Sequence, residues 1–329
     1  MRILILYLIP IVNAFYTNLK WKQSTKIYSE DPPSQWQFVS SIFKNKARNW
    51  FIQRAEKKGI AWREMSQYYQ DNQKTLDNMK YKKENKEIIY PLYYTQPFHG
   101  YDTGNLNWKA AHEVEAASLS ISSTYYEGID PITSQDYMRF NFTKHIRKYA
   151  EENHIQNYIS TILDAGSSTG VSTEFLYRSF PDSQMIHGME LSPYFISVAE
   201  MNMKRKKYPL HYIHGNIQSI PFKDESISLV VCSFVFHEVP SEVITDILKE
   251  FYRVLRPNGI IAVMDLDPDN LQRNLILNQF RKWAFEVTEP HIYKYYDYNL
   301  LFQIEDTGFS QVKKVKNDPL NSIWFGIKK

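Results

Sequence analysis

The stretch Thr161 to Gly170, TILDAGSSTG, restricts what this chain can fold into more than any other. Ile162 and Leu163 close a short apolar run, the pattern of a buried strand, and Asp164 ends it. Gly166, Ser167, Ser168, Thr169 and Gly170 then form a turn of small residues. Val171 to Phe180 reads as a helix, with Phe175, Leu176 and Phe180 able to share one face. A strand, a tight turn and a helix in this order make a cradle. Small residues let backbone approach a ligand closely, and the helix start offers unpaired N–H groups.

From residue 159 onward the chain alternates between apolar runs and helical patterns. Gln184 to Met189 reads as a second strand ending at Glu190, and Pro193 to Lys207 as a helix with proline at its start. His211 to Ile213 is a third strand, and Ile227 to Ser233, ISLVVCS, a fourth rich in β-branched residues. Ser241 to Leu255 reads as a helix stopped by Pro257-Asn258-Gly259, followed by a fifth strand over Ile260 to Met264. Helices are expected over Leu271 to Glu286 and Asn299 to Asp306, and late strands over Gln311 to Val315 and Ile323 to Ile327. Such β-α alternation implies a parallel sheet with helices on both faces.

The chain before residue 159 differs in kind. Met1 to Ala14, MRILILYLIPIVNA, has a basic start, an apolar centre and a small-residue end, which fits a secretory signal peptide. It is too short to span a bilayer, which takes ~20 apolar residues. Phe15 to Ser29 holds three lysines, no acid and several hydroxyls, a transit-peptide composition, with a flexible tail as the alternative. The fold is therefore expected to begin near residue 30. Ser34 opens a helix carrying Trp36, Val39, Phe43, Ala47, Trp50 and Phe51, and Gly59 ends it. Further helices are expected over Ala61 to Met79, Lys109 to Ser118 and Tyr137 to Glu152, with Lys80 to Lys86 a solvated charged run. Tyr90 to Trp108 packs six aromatics, two prolines and two glycines into nineteen residues. That composition belongs to an ordered loop, since linkers lack aromatics.

Four pieces then stand in order. Asp164, Gly166, Ser168 and Gly170 resemble motif I, D-x-G-x-G-x-G, of the class I S-adenosylmethionine (SAM)-dependent methyltransferases, with Ser168 in place of the middle glycine. Glu190, with Leu191 and Ser192, stands 24 residues beyond Gly166 at a strand end, where that family binds a ribose diol. Asn216-Ile217 occupies the adenine position, usually Asp there; Asn keeps an acceptor oxygen but not the charge. Phe251 to Met264, FYRVLRPNGIIAVM, resembles the R-V-L-x-P-G-G block before the fifth strand. The resemblance runs from about Thr161 onward, and its nearest branch is the small-molecule methyltransferase type 11. It implies an α/β, Rossmann-like, doubly wound sheet of seven strands closed by an antiparallel hairpin. Residues 159–329 would be the methyltransferase domain, 30–158 a helical, aromatic cap, and 1–29 a targeting leader.

The resemblance also implies SAM as cofactor, with Ser233 completing the residues that hold it. A methyl transfer to a small-molecule acceptor is expected, and a non-catalytic SAM-binding or assembly protein is the alternative. His237-Glu238 follows the fourth strand at the edge where such sites open, which makes His237 the candidate base or substrate contact. Phe234, Glu238, His99 and Tyr101 are candidates for the acceptor pocket.

Other chemistries fit less well. A nicotinamide site would want G-x-G-x-x-G, which is absent. A net charge of +3 gives no pull toward nucleic acid, and SFVF stands where a nucleic-acid methyltransferase would carry an N-P-P-Y-like tetrad. One cysteine, Cys232, allows no intrachain disulfide, and His211 and His214 alternate across a strand and make poor joint ligands, so no metal is expected. A leader of signal plus transit type resembles those of algae with complex plastids. That organelle is the expected location, with the secretory pathway or cytoplasm as alternatives.

Overall fold

The computed structural model describes residues 48–126, 128–270 and 289–329. The expected leader, the beginning of the first expected helix and the helix expected over 271–286 lie outside the described residues.

Seven strands form one sheet in the order β3-β2-β1-β4-β5-β7-β6. They are β1 (Thr161–Ala165), β2 (Met185–Glu190), β3 (His211–His214), β4 (Ile227–Ser233), β5 (Leu255–Leu266), β6 (Ser310–Lys316) and β7 (Asn321–Ile327). β1 to β5 pair in parallel, while β7 runs antiparallel to both β5 and β6. This is the doubly wound sheet with a closing antiparallel hairpin that the sequence implied. The strand order reverses between β1 and β4, so the loops leaving those two strands open a crevice at their carboxyl ends.

Nine labelled helices surround the sheet among the described residues. α1 (Trp62–Asp71), α2 (Gln73–Lys83), α3 (Trp108–Ser122) and α4 (Pro131–Glu152) precede it. α5 (Val171–Ser179), α6 (Pro193–Lys206) and α7 (Ser241–Val254) are the crossovers, and α8 (Ile292–Tyr296) and α9 (Leu300–Asp306) lead to the hairpin. Alternation along β1 divides the core. Leu163 and Ala165 face Ile244, Ile247, Leu248 and Phe251 of α7. Ile162 faces the other way, with Phe142, Ile146 and Tyr149 of α4, Leu176 of α5 and Ile196 of α6. Each large apolar side chain buried this way contributes about 1.5–3 kcal/mol over exposure. β4, buried along its whole length, supplies both faces.

Capping explains where the cap helices start. Asp130 accepts from Thr133 N at 3.0 Å and Pro131 fills the first helical position, so α4 begins six residues before the expected Tyr137. Asn107 accepts from Ala110 N at 2.8 Å and opens α3. The charged run over Lys80 to Lys86, expected as a solvated face or loop, is helical as far as Lys83. Buried Leu76 anchors α2, and Lys80 pairs with Glu84 at 2.8 Å across one turn. Pro257-Asn258-Gly259 lies inside the span of β5, not after a helix. α7 ends at Val254, Leu255 already pairs with Ile227, and Asn258 takes φ +63° where the register shifts.

α1, α2 and α3 pack on α6. Tyr69, Leu76, Ala110 and Ala111 cluster with Phe195, Val198 and Met201. Between α2 and α3, the aromatic loop makes a single 3-10 turn at Leu92–Thr95 and an isolated bridge between Phe98 and Tyr101.

Candidate functional site

The turn after β1 is tied to β2. Gly166 N and Ser167 N both donate to Met189 O, at 2.8 and 3.0 Å. Gly166, Ser168 and Gly170 all have left-handed backbones, at φ +79°, +50° and +84°. A Cβ on Gly166 would stand 2.5 Å from Val235 Cγ2, and one on Gly170 would meet the Tyr212 hydroxyl. Glycine is therefore required at both positions by neighbouring side chains of the fold as well as by φ.

Asp164 is fully buried. Its Oδ2 accepts from Ser172 Oγ and Thr173 Oγ1, both at 2.6 Å, while its Oδ1 has no partner. Burial raises its pKa, and the two hydroxyls with Arg139 pull it back. Ser167 Oγ and Ser233 Oγ are likewise buried and without partners. Ser233 shares strand parity with Val231, which pairs with Asp164, so the two side chains point from the same face of the sheet.

Glu190 ends β2, 7% exposed. Its Oε2 accepts from Ser168 N at 2.9 Å, and its Oε1 from Ser192 N at 2.8 Å and from the Tyr94 hydroxyl at 3.1 Å. Burial pushes its pKa up, against these donors. Tyr94 stacks on Tyr90, whose hydroxyl lies 3.3 Å from His214 Nε2. His214 Nδ1 accepts from Asn85 N at 2.8 Å, so Nε2 carries the proton and donates to Leu191 O at 2.9 Å. The aromatic loop thus lies over the ends of β2 and β3. Asn216 Oδ1 accepts from Gln218 N at 2.9 Å and is folded into its own turn, while Ile217 packs at the edge of the α7-side core.

A second group forms where β4 and β5 end. His237 sits in a 3-10 turn, Phe236–Glu238, and its Nδ1 lies 2.6 Å from Asp265 Oδ1. Asp265 also accepts from Phe236 N at 2.8 Å and Leu266 N at 2.7 Å. Burial works against the imidazolium, but Asp265, Glu238 and Glu289 outweigh it and push His237 up to about 9. His99 Nε2 lies 3.3 Å from Glu289 Oε1 and 3.5 Å from Glu238 Oε1. Its pKa rises to about 8: burial opposes the charge, and Glu289 and Glu238 overcome that. Burial takes Glu238 up to about 7, against the pull of His99 and His237.

The structure brings His99, His237 and Glu238 together. It places Tyr101 elsewhere: that hydroxyl donates to Glu113 Oε2 at 2.6 Å, and Glu113 pairs with Arg48 within the cap. Phe234, at φ +60°, packs on the α4 side of the sheet rather than with His237. Asp265, Tyr94, His214 and Glu289 were missed. Asp265 carried a signal, an acid at the end of an apolar strand like Asp164 and Glu190. Among the described residues no cluster of His, Cys, Asp and Glu could hold a metal ion, and no helix is long and apolar enough to cross a membrane.

The cradle fits a SAM-type ligand. Partnerless buried polar atoms on Asp164, Ser167 and Ser233 stand at the ends of two adjacent strands, beside a turn built close on glycine. Residues 163–263 match the family described as "Methyltransferase domain". An uncharacterized methyltransferase of Schizosaccharomyces pombe is 31% identical over 134 residues, 40% of this chain and 49% of the relative. A demethylmenaquinone methyltransferase of Listeria welshimeri is 24% identical over 188 residues, 52% of this chain and 79% of the relative. A structure titled as a putative SAM-dependent methyltransferase from Methanococcus maripaludis aligns at TM-score 0.46 and 16% identity, over 68% of this chain and 94% of that one. The chain spans about half the length of the two fission-yeast relatives it matches, 49% and 47%. Residues 163–263 thus match a methyltransferase domain of the class I SAM-dependent kind, whose cofactor is S-adenosylmethionine.

Proposed function

We propose that the protein transfers a methyl group from SAM to a small-molecule acceptor held between the Phe236–Glu238 turn and the loop carrying His99. The observation that carries this reading is the His237–Asp265 pair at 2.6 Å, facing Glu238 and His99 at the carboxyl edge of the sheet. SAM, when bound, supplies a methyl sulfonium, so the protein's task is to hold the acceptor and move any proton it carries.

The sequence suggested His237 as a base or a substrate contact. With Nδ1 held by Asp265 and a pKa near 9, its ring is protonated at neutral pH and serves as a hydrogen-bond donor through Nε2. Glu238, near 7, is the group poised to take a proton from the acceptor. The loop's Tyr93 bonds to Gln218, a contact that does not involve Glu190 and can hold the loop over the crevice with the cofactor in place.

The test is incubation of the purified protein with SAM and a metabolite extract, read by mass spectrometry for products one methylene heavier. New masses that depend on intact Glu238 support the reading. SAM binding with no product from any extract favours a non-catalytic SAM-binding protein. We also propose that residues 1–29 direct the chain to the plastid of an alga with complex plastids, supported by their composition. Fusion of that segment to a fluorescent protein tests it, with secretion or diffuse cytoplasmic signal as the contrary outcomes.

A further inference from the structure

α4 presents Met138, Phe142, Ile146 and Tyr149 to the core, and Arg139 lies on the same face, one turn from Phe142. Arg139 is 8% exposed. An arginine so deeply placed is normally paired, because burying an unpaired charge is costly. Yet its Nε and Nη1 have no hydrogen-bond partner. Its guanidinium carbon stands 5.6 Å from the centre of the Phe234 ring. Asp164 and Tyr125 are the groups that favour its charge, and burial, acting against them, is strong enough to hold its pKa below the ordinary arginine value.

Its neighbours show the same deficit. Asp164 Oδ1, Ser167 Oγ and Ser233 Oγ are buried without partners. Asp164 and Ser233 point from the α4 side of the sheet, and Phe234 follows Ser233 directly. A cation with free donors and a carboxylate with a free acceptor stand near one another at the end of β1, with the Ser233 hydroxyl directed from the same face. An apolar ligand would leave these groups unsatisfied. A neutral zwitterion, with a carboxylate and an ammonium on one carbon, would satisfy both signs.

We propose that Arg139 anchors the carboxylate of the cofactor's amino-acid tail, with Asp164 Oδ1 taking its ammonium. The proposal rests on the cradle being the cofactor site and names the residue from the cap, outside the matched segment 163–263, that completes it. The cap is then part of the cofactor site as well as a cover for the acceptor.

The experiment is calorimetry with three probes: S-adenosylhomocysteine, its decarboxylated analogue, and 5′-methylthioadenosine, which lacks the whole amino-acid tail. On the unmodified protein, S-adenosylhomocysteine should bind about tenfold or more tightly than the decarboxylated form, the size of one charge-assisted hydrogen bond. Arg139→Met, which keeps the apolar stem against Phe234, should weaken S-adenosylhomocysteine by about ten- to a hundredfold and leave 5′-methylthioadenosine unchanged. Equal affinity of the unmodified protein for the first two probes overturns the assignment without recourse to any variant. A folded Arg139→Met that loses both tailed and tailless probes by one factor makes Arg139 a packing residue. If the unmodified protein binds none of the three, the cradle is not the cofactor site and both readings fall.

Discussion

The Tyr94 hydroxyl donates to Glu190 Oε1 at 3.1 Å, across 96 residues of sequence. With Ser192 N on the same oxygen and Ser168 N on the other, three of the carboxylate's roughly four acceptor positions are taken. A ribose diol needs two. Tyr94 must therefore yield its bond when a diol binds in full. Tyr94→Phe should lower the melting temperature of the ligand-free protein, because Glu190 loses a donor, and should tighten S-adenosylhomocysteine several-fold. Calorimetry showing unchanged affinity would mean that Tyr94 and the diol do not compete.

The pH profile of the proposed methyl transfer follows from the second group. Glu238 gives up its proton near 7 and His237 near 9, so activity should rise through about 7 and fall through about 9. Glu238→Gln should remove the acid-side limb and lower kcat by about 10²-fold or more. A limb near 7 that persists in the variant assigns it to another group.

Stability should fall over the same range. His237 and His99 sit at about 9 and about 8 in the folded chain, above the ordinary 6.5. The folded state therefore binds more protons than the unfolded one between these values. Their contribution is complete below about 6.5 and is lost as pH rises toward 9. Urea titrations at pH 6.5 and 9 should show this loss, and His237→Gln should shrink it. A variant with the full pH slope would place the effect elsewhere.

Gly166→Ala should abolish SAM binding or unfold the turn, since its Cβ would stand 2.5 Å from Val235 Cγ2 at φ +79°. Adding Val235→Ala removes the clash but not the backbone strain, so the double variant should recover part of the stability. If it recovers nothing, strain alone governs the position.

Legibility in the sequence followed range. β1 to β5 were readable because each is a short apolar run bounded by turn residues, a local signal. Asp164, Gly166 and Glu190 were readable because a strand end and a tight turn constrain adjacent residues. α8, five residues long, has too little periodicity to announce itself. The pairs Tyr94 with Glu190 and His99 with Glu289 join residues far apart in the sequence. No local pattern encodes such a meeting. Tyr101 shows the converse, since only the course of α3 decided that it would reach Glu113 instead.

β6 has a consequence for the life of the protein in a crowded solution. An open sheet offers its outer strands as templates for another chain. β6 carries Lys313, Lys314 and Lys316, and its pairing with β7 is interrupted between Ser310 and Lys313, where Gln311 turns to φ +53°. Lys313 reaches Glu152, and Lys314 reaches Asp267 and lies over Trp324. A strand arriving from a second molecule would meet a bent ribbon studded with positive charge. At the other margin β3 is four residues long and is met by Asn85 and Lys83 from the segment around the end of α2. Both rims of a sheet whose middle strands are largely buried thus discourage pairing with a strand from another molecule.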